Sequence, residues 1–205
     1  MLQKLLDDAK QFGFCVSKTE GQELLKYLDL LRVWNKTHNL CADASYQHML
    51  AYHILDSISV AANINCEKKN ILDVGTGAGL PGIPLAVVVP SCNITLLDQK
   101  IKKITFVRHA VNVLQLSNVS IAAERVERFT GKFDLIISRA FSDLQDFVRL
   151  SKHLCAKQGI LVAMKSDPSF FVVGADCGEG YKIIEVKELK VPGVSAKRSL
   201  VIIAK

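Results

Sequence analysis

The chain has 205 residues, the length of one domain or of one domain with a small extension. Hydrophobic residues make up 49% and charged residues 22% of the sequence, which suits a globular protein with a buried core and excludes disordered and low-complexity classes. Lys and Arg number 26 against 20 Asp and Glu, giving a net charge of +6. This excess permits a polyanionic partner such as nucleic acid without requiring one.

The cysteines and the N-terminus bear on the compartment and on metal binding. The six cysteines lie at irregular separations and none belongs to a CxxC pair, so we expect reduced thiols and no metal site or disulfide framework. Asp7 and Asp8 interrupt the first apolar stretch, so it lacks the core of a signal peptide. The apolar run 83–89 is far too short to span a membrane. These features predict a soluble cytoplasmic protein without a membrane partner.

The first 66 residues predict a helical extension. One apolar stripe with helical spacing consists of Leu24, Leu28, Leu31 and Trp34. A second helix is predicted over about 45–62, with Met49, Tyr52, Ile58 and Ala61 facing inward. The remaining residues, 67–205, are expected to form a separate domain with a different pattern.

Residues 67–205 alternate between short β-rich runs and helical stretches. Five strands are predicted over 70–74, 93–97, 119–122, 133–137 and 160–164. The clearest helix covers 101–115, and its apolar face contains Ile101, Ile104, Val107, Val111 and Leu114. A polar loop over 166–180 precedes two strands, 181–189 and 198–204, which should pair antiparallel. This α/β pattern is typical of the class I, Rossmann-like methyltransferases, with a seven-stranded, mostly parallel sheet.

A glycine-rich turn follows the first predicted strand. The dinucleotide fingerprint GxGxxG fails when started at Gly75, because Leu80 takes the last glycine position. Started at Gly77, the fingerprint fits with Gly79 and Gly82, but it then has the helix-starting proline inside it. Asp73, two residues before the first glycine, suits the cationic ammonium and sulfonium of S-adenosylmethionine better than it suits a pyrophosphate.

A second acidic residue supports the same cofactor. Asp98 ends the next predicted strand, where a carboxylate can accept hydrogen bonds from both ribose hydroxyls. The alternative role of Asp98 is to cap the helix that begins near residue 101. Together with the glycine turn, Asp98 favours an S-adenosylmethionine site over a nicotinamide site.

From about residue 24 onward, the chain resembles the bacterial glucose-inhibited division protein B family of 16S ribosomal RNA guanine-N7 methyltransferases. The segments that carry the resemblance are WNKTHNL (34–40), HILDS (53–57), DVGTGAGLPG (73–82), SRAF (138–141) and RSLVII (198–203). The glycine turn is shared with many methyltransferases, whereas the other segments make the resemblance specific. A serine follows Lys165 where the family usually has glycine, and 166–180 matches the family poorly.

The resemblance implies roles for individual residues. Gly75 and Leu80 would line the donor pocket, Val126 and Glu127 would hold the adenine edge, and Arg139 would be the pocket arginine and the catalytic residue. Arg139 has a guanidinium suited to the donor carboxylate, to guanine O6 or to a phosphate, and its structural alternative is an ion pair.

Basic residues gather near the predicted carboxyl edge of the sheet. Lys100, Lys165 and Arg198 are the candidates for binding RNA, and the last two also match the family's pattern. The expected partner is 16S ribosomal RNA or the 30S subunit, with a monomeric enzyme as the default.

Methylation of guanine N7 is also consistent with the motifs that the sequence contains. N7 carries a free lone pair, so its methylation requires orientation rather than a general base. SRAF stands where amino-group methyltransferases often have Asn/Asp-Pro-Pro-aromatic, and no cysteine follows the fourth strand. The remaining alternatives are a small-molecule methyltransferase, a nicotinamide-dependent oxidoreductase and a non-catalytic RNA-binding module.

Overall fold

The computed structural model describes residues 1–41 and 45–205. In these ranges seven strands form one sheet: β1 (Asn70–Val74), β2 (Asn93–Leu97), β3 (Val119–Ala122), β4 (Phe133–Ser138), β5 (Cys155–Lys165), β6 (Lys182–Leu189) and β7 (Arg198–Ala204). Their order is β3-β2-β1-β4-β5-β7-β6. Strands β1 to β5 are parallel, whereas β7 runs antiparallel to both β5 and β6. The predicted sheet is therefore confirmed.

The strand order reverses at β1, which pairs with β2 on one side and with β4 on the other. In open α/β sheets such a switch point leaves a crevice beyond the carboxyl ends of the strands. Any ligand site is therefore expected beside the turns that follow β1, β2 and β4.

Helices cover both faces of the sheet. They are α1 (Leu2–Gln11), α2 (Lys18–His38), α3 (Tyr46–Met49), α4 (Asp56–Asn63), α5 (Gly82–Val88), α6 (Ile101–Val113) and α7 (Leu144–Ser151). A π-helical turn, Leu50–Leu55, joins α3 to α4, and 3₁₀ turns occupy Lys152–Leu154 and Pro168–Phe170. Within the described ranges, no helix combines the length and apolar character needed to cross a membrane.

The N-terminal helices share one hydrophobic core with the sheet. Helix α2 begins with a capping box between Ser17 and Glu20, and its predicted stripe buries Leu24, Leu28 and Leu31. These side chains belong to the same buried cluster as residues of β1, β2 and β7. The core runs across residue 66, where the sequence predicts the boundary between the helical extension and the second domain.

Two local predictions differ from the structure. The predicted helix over 45–62 is divided by the π-helical turn, which shifts the face that each residue presents. Ile101 was expected on the buried face of α6, yet it is 71% exposed because it lies in the first turn, at the edge of the sheet. Ile104 and Val107, one and two turns further on, are buried as expected.

Candidate active site

The glycine turn after β1 is tied to the end of β2. The backbone N–H groups of Gly75 and Thr76 both donate to the carbonyl of Leu97, at 2.8 and 3.0 Å. Gly75 has a φ of +70°, and a Cβ there would lie 2.7 Å from Cβ of Ala140. Only glycine therefore meets both the backbone conformation and the close approach at this position.

Asp73 organises the turn from beneath. Its side chain is fully buried, and Oδ2 accepts hydrogen bonds from Thr76 Oγ1 at 2.7 Å and from the Gly82 N–H at 2.9 Å. Burial raises the pKa of this carboxyl to about 6, against the lowering effect of these two hydrogen bonds. Asp73 was expected to face the cationic part of the donor, but the structure places it under the turn.

Asp98 connects the glycine turn to the start of α6. Its Oδ2 accepts from the Gly77 N–H at 3.0 Å, and its Oδ1 accepts from the Lys100 N–H at 2.8 Å. The carboxylate therefore holds the backbone just before α6, whose N-cap is Lys100, and it also lines the crevice. A carboxylate oxygen has two lone pairs, so each can accept another hydrogen bond.

A cavity of about 400 Å³ opens at the switch point of the sheet, and we call it the switch-point cavity. Its wall consists of Val74, Gly75, Leu97, Asp98, Gln99, Lys100, Lys103, Glu124, Arg125, Val126, Glu127, Ala140, Phe141 and Leu150. The structure therefore brings together five residues selected from the sequence: Gly75, Asp98, Lys100, Val126 and Glu127.

Three other residues selected from the glycine turn, Gly77, Gly79 and Leu80, are not part of the cavity wall but lie next to it. Gly77 contacts the wall through its hydrogen bond to Asp98. Gly79 and Leu80 are buried behind the turn, where the space beside Gly79 is filled by Ile83 and Leu80 belongs to the core. Leu80 was expected to line the donor pocket, and the structure places it in this packing role.

A second cavity, of about 320 Å³, contains the remaining selected residues, and we call it the basic cavity. It is lined by His48, Tyr52, His53, Asp56, Arg139, Met164, Lys165, Ser166 and Arg198. Arg139 Nη1 lies 3.4 Å from Asp56 Oδ2, and Arg198 Nε lies 3.4 Å from Asp56 Oδ1. Arg139 was expected at the donor pocket, but its guanidinium points to the basic cavity instead.

The segment Ser138–Phe141 separates the two cavities. Ser138 Oγ donates to the Val74 carbonyl at 2.7 Å and accepts from the Ala140 N–H at 3.0 Å, which fixes this segment against the end of β1. Arg139 lines the basic cavity, whereas Ala140 and Phe141 line the switch-point cavity. The ring of Phe141 packs on Phe147 at 5.2 Å between centroids, so part of its surface belongs to the core.

Tyr27 makes a contact with the glycine turn that the sequence did not predict. This residue of α2 is fully buried, and its hydroxyl donates to the Ala78 carbonyl of the glycine turn at 2.7 Å. Burial raises the pKa of Tyr27 well above its ordinary value, so the hydroxyl keeps its proton and acts as a donor. The helical spacing of α2 carries no signal of this polar contact.

The switch-point cavity fits S-adenosylmethionine. The absence of a Cβ at Gly75 lets a ligand approach the backbone, Asp98 offers carboxylate oxygens suited to ribose hydroxyls, and Leu97 and Val126 supply apolar wall for a purine. The solved structure of an S-adenosylmethionine-dependent methyltransferase from Aquifex aeolicus superposes with a TM-score of 0.58 at 17% identity, covering 76% of this chain and 92% of that chain. The ribosomal protein L11 methylase from Lactobacillus delbrueckii gives a TM-score of 0.54 at 14% identity, covering 78% and 79%.

The fold is that of the class I S-adenosylmethionine-dependent methyltransferases, and the family match assigns the chain to this class of enzyme. Residues 20–201 match the family described as GidB, rRNA small subunit methyltransferase G. A ribosomal RNA small subunit methyltransferase G from Photobacterium profundum is 42% identical over 99% of this chain and 98% of its own length. One from Laribacter hongkongensis is 44% identical over 93% and 92%. The chain belongs to this family, which confirms the resemblance and removes the nicotinamide alternative.

Proposed function

We propose that this enzyme methylates N7 of one guanine in the 16S ribosomal RNA of the small ribosomal subunit. The observation that carries the proposal is that consecutive residues line the two cavities, Arg139 the basic cavity and Ala140 and Phe141 the switch-point cavity. A methyl donor in one cavity and a polyanion at the other would meet at this segment. The names of the relatives support small-subunit ribosomal RNA as the polyanion.

S-adenosylmethionine, when bound, supplies a methyl group on a positively charged sulfur. Guanine N7 accepts it with an in-plane lone pair and loses no proton, so the chain's residues have to orient the base rather than deprotonate it. Holding two reactants in line contributes roughly 7–11 kcal/mol in favourable cases. The wall of the switch-point cavity contains no cysteine among the residues that the structure describes, so the thiolate chemistry of C5 methylation finds no support there.

The protein has rigid groups for this orienting role. The hydrogen bonds of Ser138 fix the segment on which Ala140 and Phe141 face the donor side. Phe141 offers the exposed part of its ring as a surface against which a base can stack. The small-molecule alternative is disfavoured because three cationic side chains, Arg139, Lys165 and Arg198, line the adjoining cavity.

The test uses 30S subunits and deproteinised 16S RNA from cells that lack this protein. Purified enzyme and S-adenosylmethionine with a labelled methyl group are expected to label one guanine at N7, which chemical cleavage at 7-methylguanine then maps. Gly75→Val serves as the inactive control, because a branched side chain fills the turn. Label on an exocyclic amine, or labelling of a small molecule but not of RNA, would overturn the proposal.

A further inference from the structure

We propose that the basic cavity is an anion site that binds a single phosphate of the substrate RNA, and that Asp56 is the positioning residue that orients its two arginines. This inference rests on the proposed function. It adds that one phosphate of the RNA binds in the basic cavity and that Asp56 positions the arginines.

The charge of the basic cavity favours an anion. Arg139, Lys165 and Arg198 line it together with one carboxylate, Asp56. A carboxylate shared between two guanidiniums neutralises only one of these charges, so the cavity keeps a positive excess. Three cationic side chains and one carboxylate leave an excess of two positive charges; a phosphodiester, with a single negative charge, neutralises one of them, and its several acceptor oxygens suit the N–H donors of the cavity.

Each cation keeps N–H donors for a ligand. The contacts of Arg139 with described residues use Nη1 alone, which donates to the Tyr52 carbonyl at 3.2 Å and to Asp56. Those of Arg198 use Nε toward Asp56 and Nη1 toward the Lys197 carbonyl. The Lys165 ammonium donates to the carbonyls of Phe141 and Ser142. A guanidinium has five N–H donors and an ammonium has three, so all three side chains have donors in reserve.

Asp56 determines where the two guanidiniums lie. Its side chain is 4% exposed, whereas those of Arg139 and Arg198 are 28% and 23% exposed, so the carboxylate forms the floor and the arginines reach toward solvent. The three residues come from α4, the end of β4 and the start of β7. Arg198 also lies over the ring of Tyr52, at 5.3 Å from the centroid, which restricts its orientation further.

Among the roles that the sequence left open for Arg139, this geometry favours the phosphate. Arg139 lines the basic cavity and is not part of the wall of the cavity that fits the donor. Asp56 contacts both arginines and compensates the charge of only one, so the second guanidinium adds to the positive charge available to a ligand.

The first experiment counts phosphates by the salt dependence of RNA binding. Each lost phosphate contact reduces the slope of log affinity against log salt concentration by about 1. Lys165→Gln and Arg198→Gln should each flatten the slope, and the double variant should flatten it by no more than about 1, because both side chains hold the same phosphate. Lys157→Gln, an exposed change near the opposite end of β5, is the matched control.

Three outcomes of this experiment are decisive. A double variant that loses about 2 in slope would show two separate phosphates and overturn the single site. Slopes equal to those of the wild type and of Lys157→Gln would overturn the anion site altogether. Wild-type enzyme that methylates no ribosomal RNA in the parallel assay would instead overturn the proposed function, so the two failures are distinguishable.

The second experiment tests Asp56 with Asp56→Asn, which removes a negative charge and preserves the shape. Electrostatic attraction alone predicts tighter RNA binding, because the cavity becomes more positive. A positioning role predicts the opposite: KM for RNA rises about tenfold, while kcat and the Kd for S-adenosylmethionine stay within about twofold. RNA binding that becomes tighter, or a fall in kcat alone, would overturn the role of Asp56. If the variant is unfolded by circular dichroism, Arg198→Lys, which keeps the charge but loses the fork, should raise KM for RNA, and an unchanged KM would overturn the role.

Discussion

Gly75→Ala tests whether the glycine turn holds the methyl donor. The new Cβ would lie 2.7 Å from Cβ of Ala140, whereas carbon atoms in favourable contact are about 3.5–4.0 Å apart. The turn and Ser138–Phe141 must therefore separate by about 1 Å, and both form part of the cavity wall. The φ of +70° adds a cost of roughly 1–2 kcal/mol for any residue with a Cβ.

The expected result follows from adding the two effects. Overpacking contributes roughly 1–3 kcal/mol beyond the backbone strain, and we expect part of this to appear in ligand binding. A weakening of S-adenosylmethionine binding by tenfold or more, measured by isothermal titration calorimetry, corresponds to about 1.4 kcal/mol. Urea unfolding measures the accompanying loss of stability.

Two matched variants separate the strain from the close contact. Gly174 also has a positive φ, +90°, but a Cβ there would meet no heavy atom within 4 Å. Gly174→Ala should therefore lose stability through strain alone and keep wild-type donor affinity. In the double variant Gly75→Ala/Ala140→Gly, the clashing methyl group is gone, so donor affinity should return toward that of Ala140→Gly. Unchanged affinity in Gly75→Ala, or no recovery in the double variant, would refute the reasoning.

Three further predictions concern the supports of the switch-point cavity. Asp98→Ala removes the acceptor of the Gly77 N–H and should weaken S-adenosylmethionine binding about tenfold or more, with RNA affinity nearly unchanged in filter binding. Tyr27→Phe removes the hydrogen bond to the Ala78 carbonyl and should cost about 1–2 kcal/mol in urea unfolding, with a weaker donor affinity. The pKa of Asp73, raised to about 6 by burial, means that the folded protein binds a proton between about pH 6 and pH 4 that the unfolded chain does not. Falling pH should therefore add up to about 3 kcal/mol of stability through this residue, and Asp73→Asn should abolish that increment in urea unfolding at pH 4.5 and 7.

Each of these predictions has a result that contradicts it. A loss of RNA binding with intact donor binding would assign Asp98 to the RNA side. Tyr27→Phe with wild-type stability would show that water replaces the phenol at the turn. A stability difference between wild type and Asp73→Asn that is the same at both pH values would show that Asp73 is ionised throughout.

The sheet was predictable because its signals are local. The runs Asn70–Val74 and Asn93–Leu97 appear in the structure with the predicted bounds. Strand β5 was predicted only from residue 160 but begins at Cys155, because its first half carries polar and glycine residues that hide the apolar pattern. In parallel sheets ligands bind beyond the carboxyl ends of the strands, which predicts that Gly75 and Asp98 lie at one cavity, as they do.

The cavity that the Arg139 side chain lines was not predictable in the same way. The partner of Arg139, Asp56, lies 83 residues earlier in sequence, directly after a π-helical turn that 3.6-residue spacing cannot reveal. The family resemblance predicted that Arg139 is a site residue, but it did not predict which cavity the side chain faces. A guanidinium can bind the donor carboxylate, the guanine base or a phosphate equally well. The hydrogen bonds of Asp73 within the turn were not predictable for a related reason: a carboxylate before a glycine turn has the same spacing whether it points into the cavity or beneath the turn.

The short connection of Ser138–Phe141 between the two cavities has a thermodynamic consequence. A movement of this segment that altered both walls would make occupancy on one side change the affinity on the other. By linkage, the factor by which the nucleotide polymer strengthens cofactor binding must equal the factor by which the cofactor strengthens attachment of the polymer. Such coupling would link the release of the demethylated cofactor to the release of the methylated RNA through the segment Ser138–Phe141.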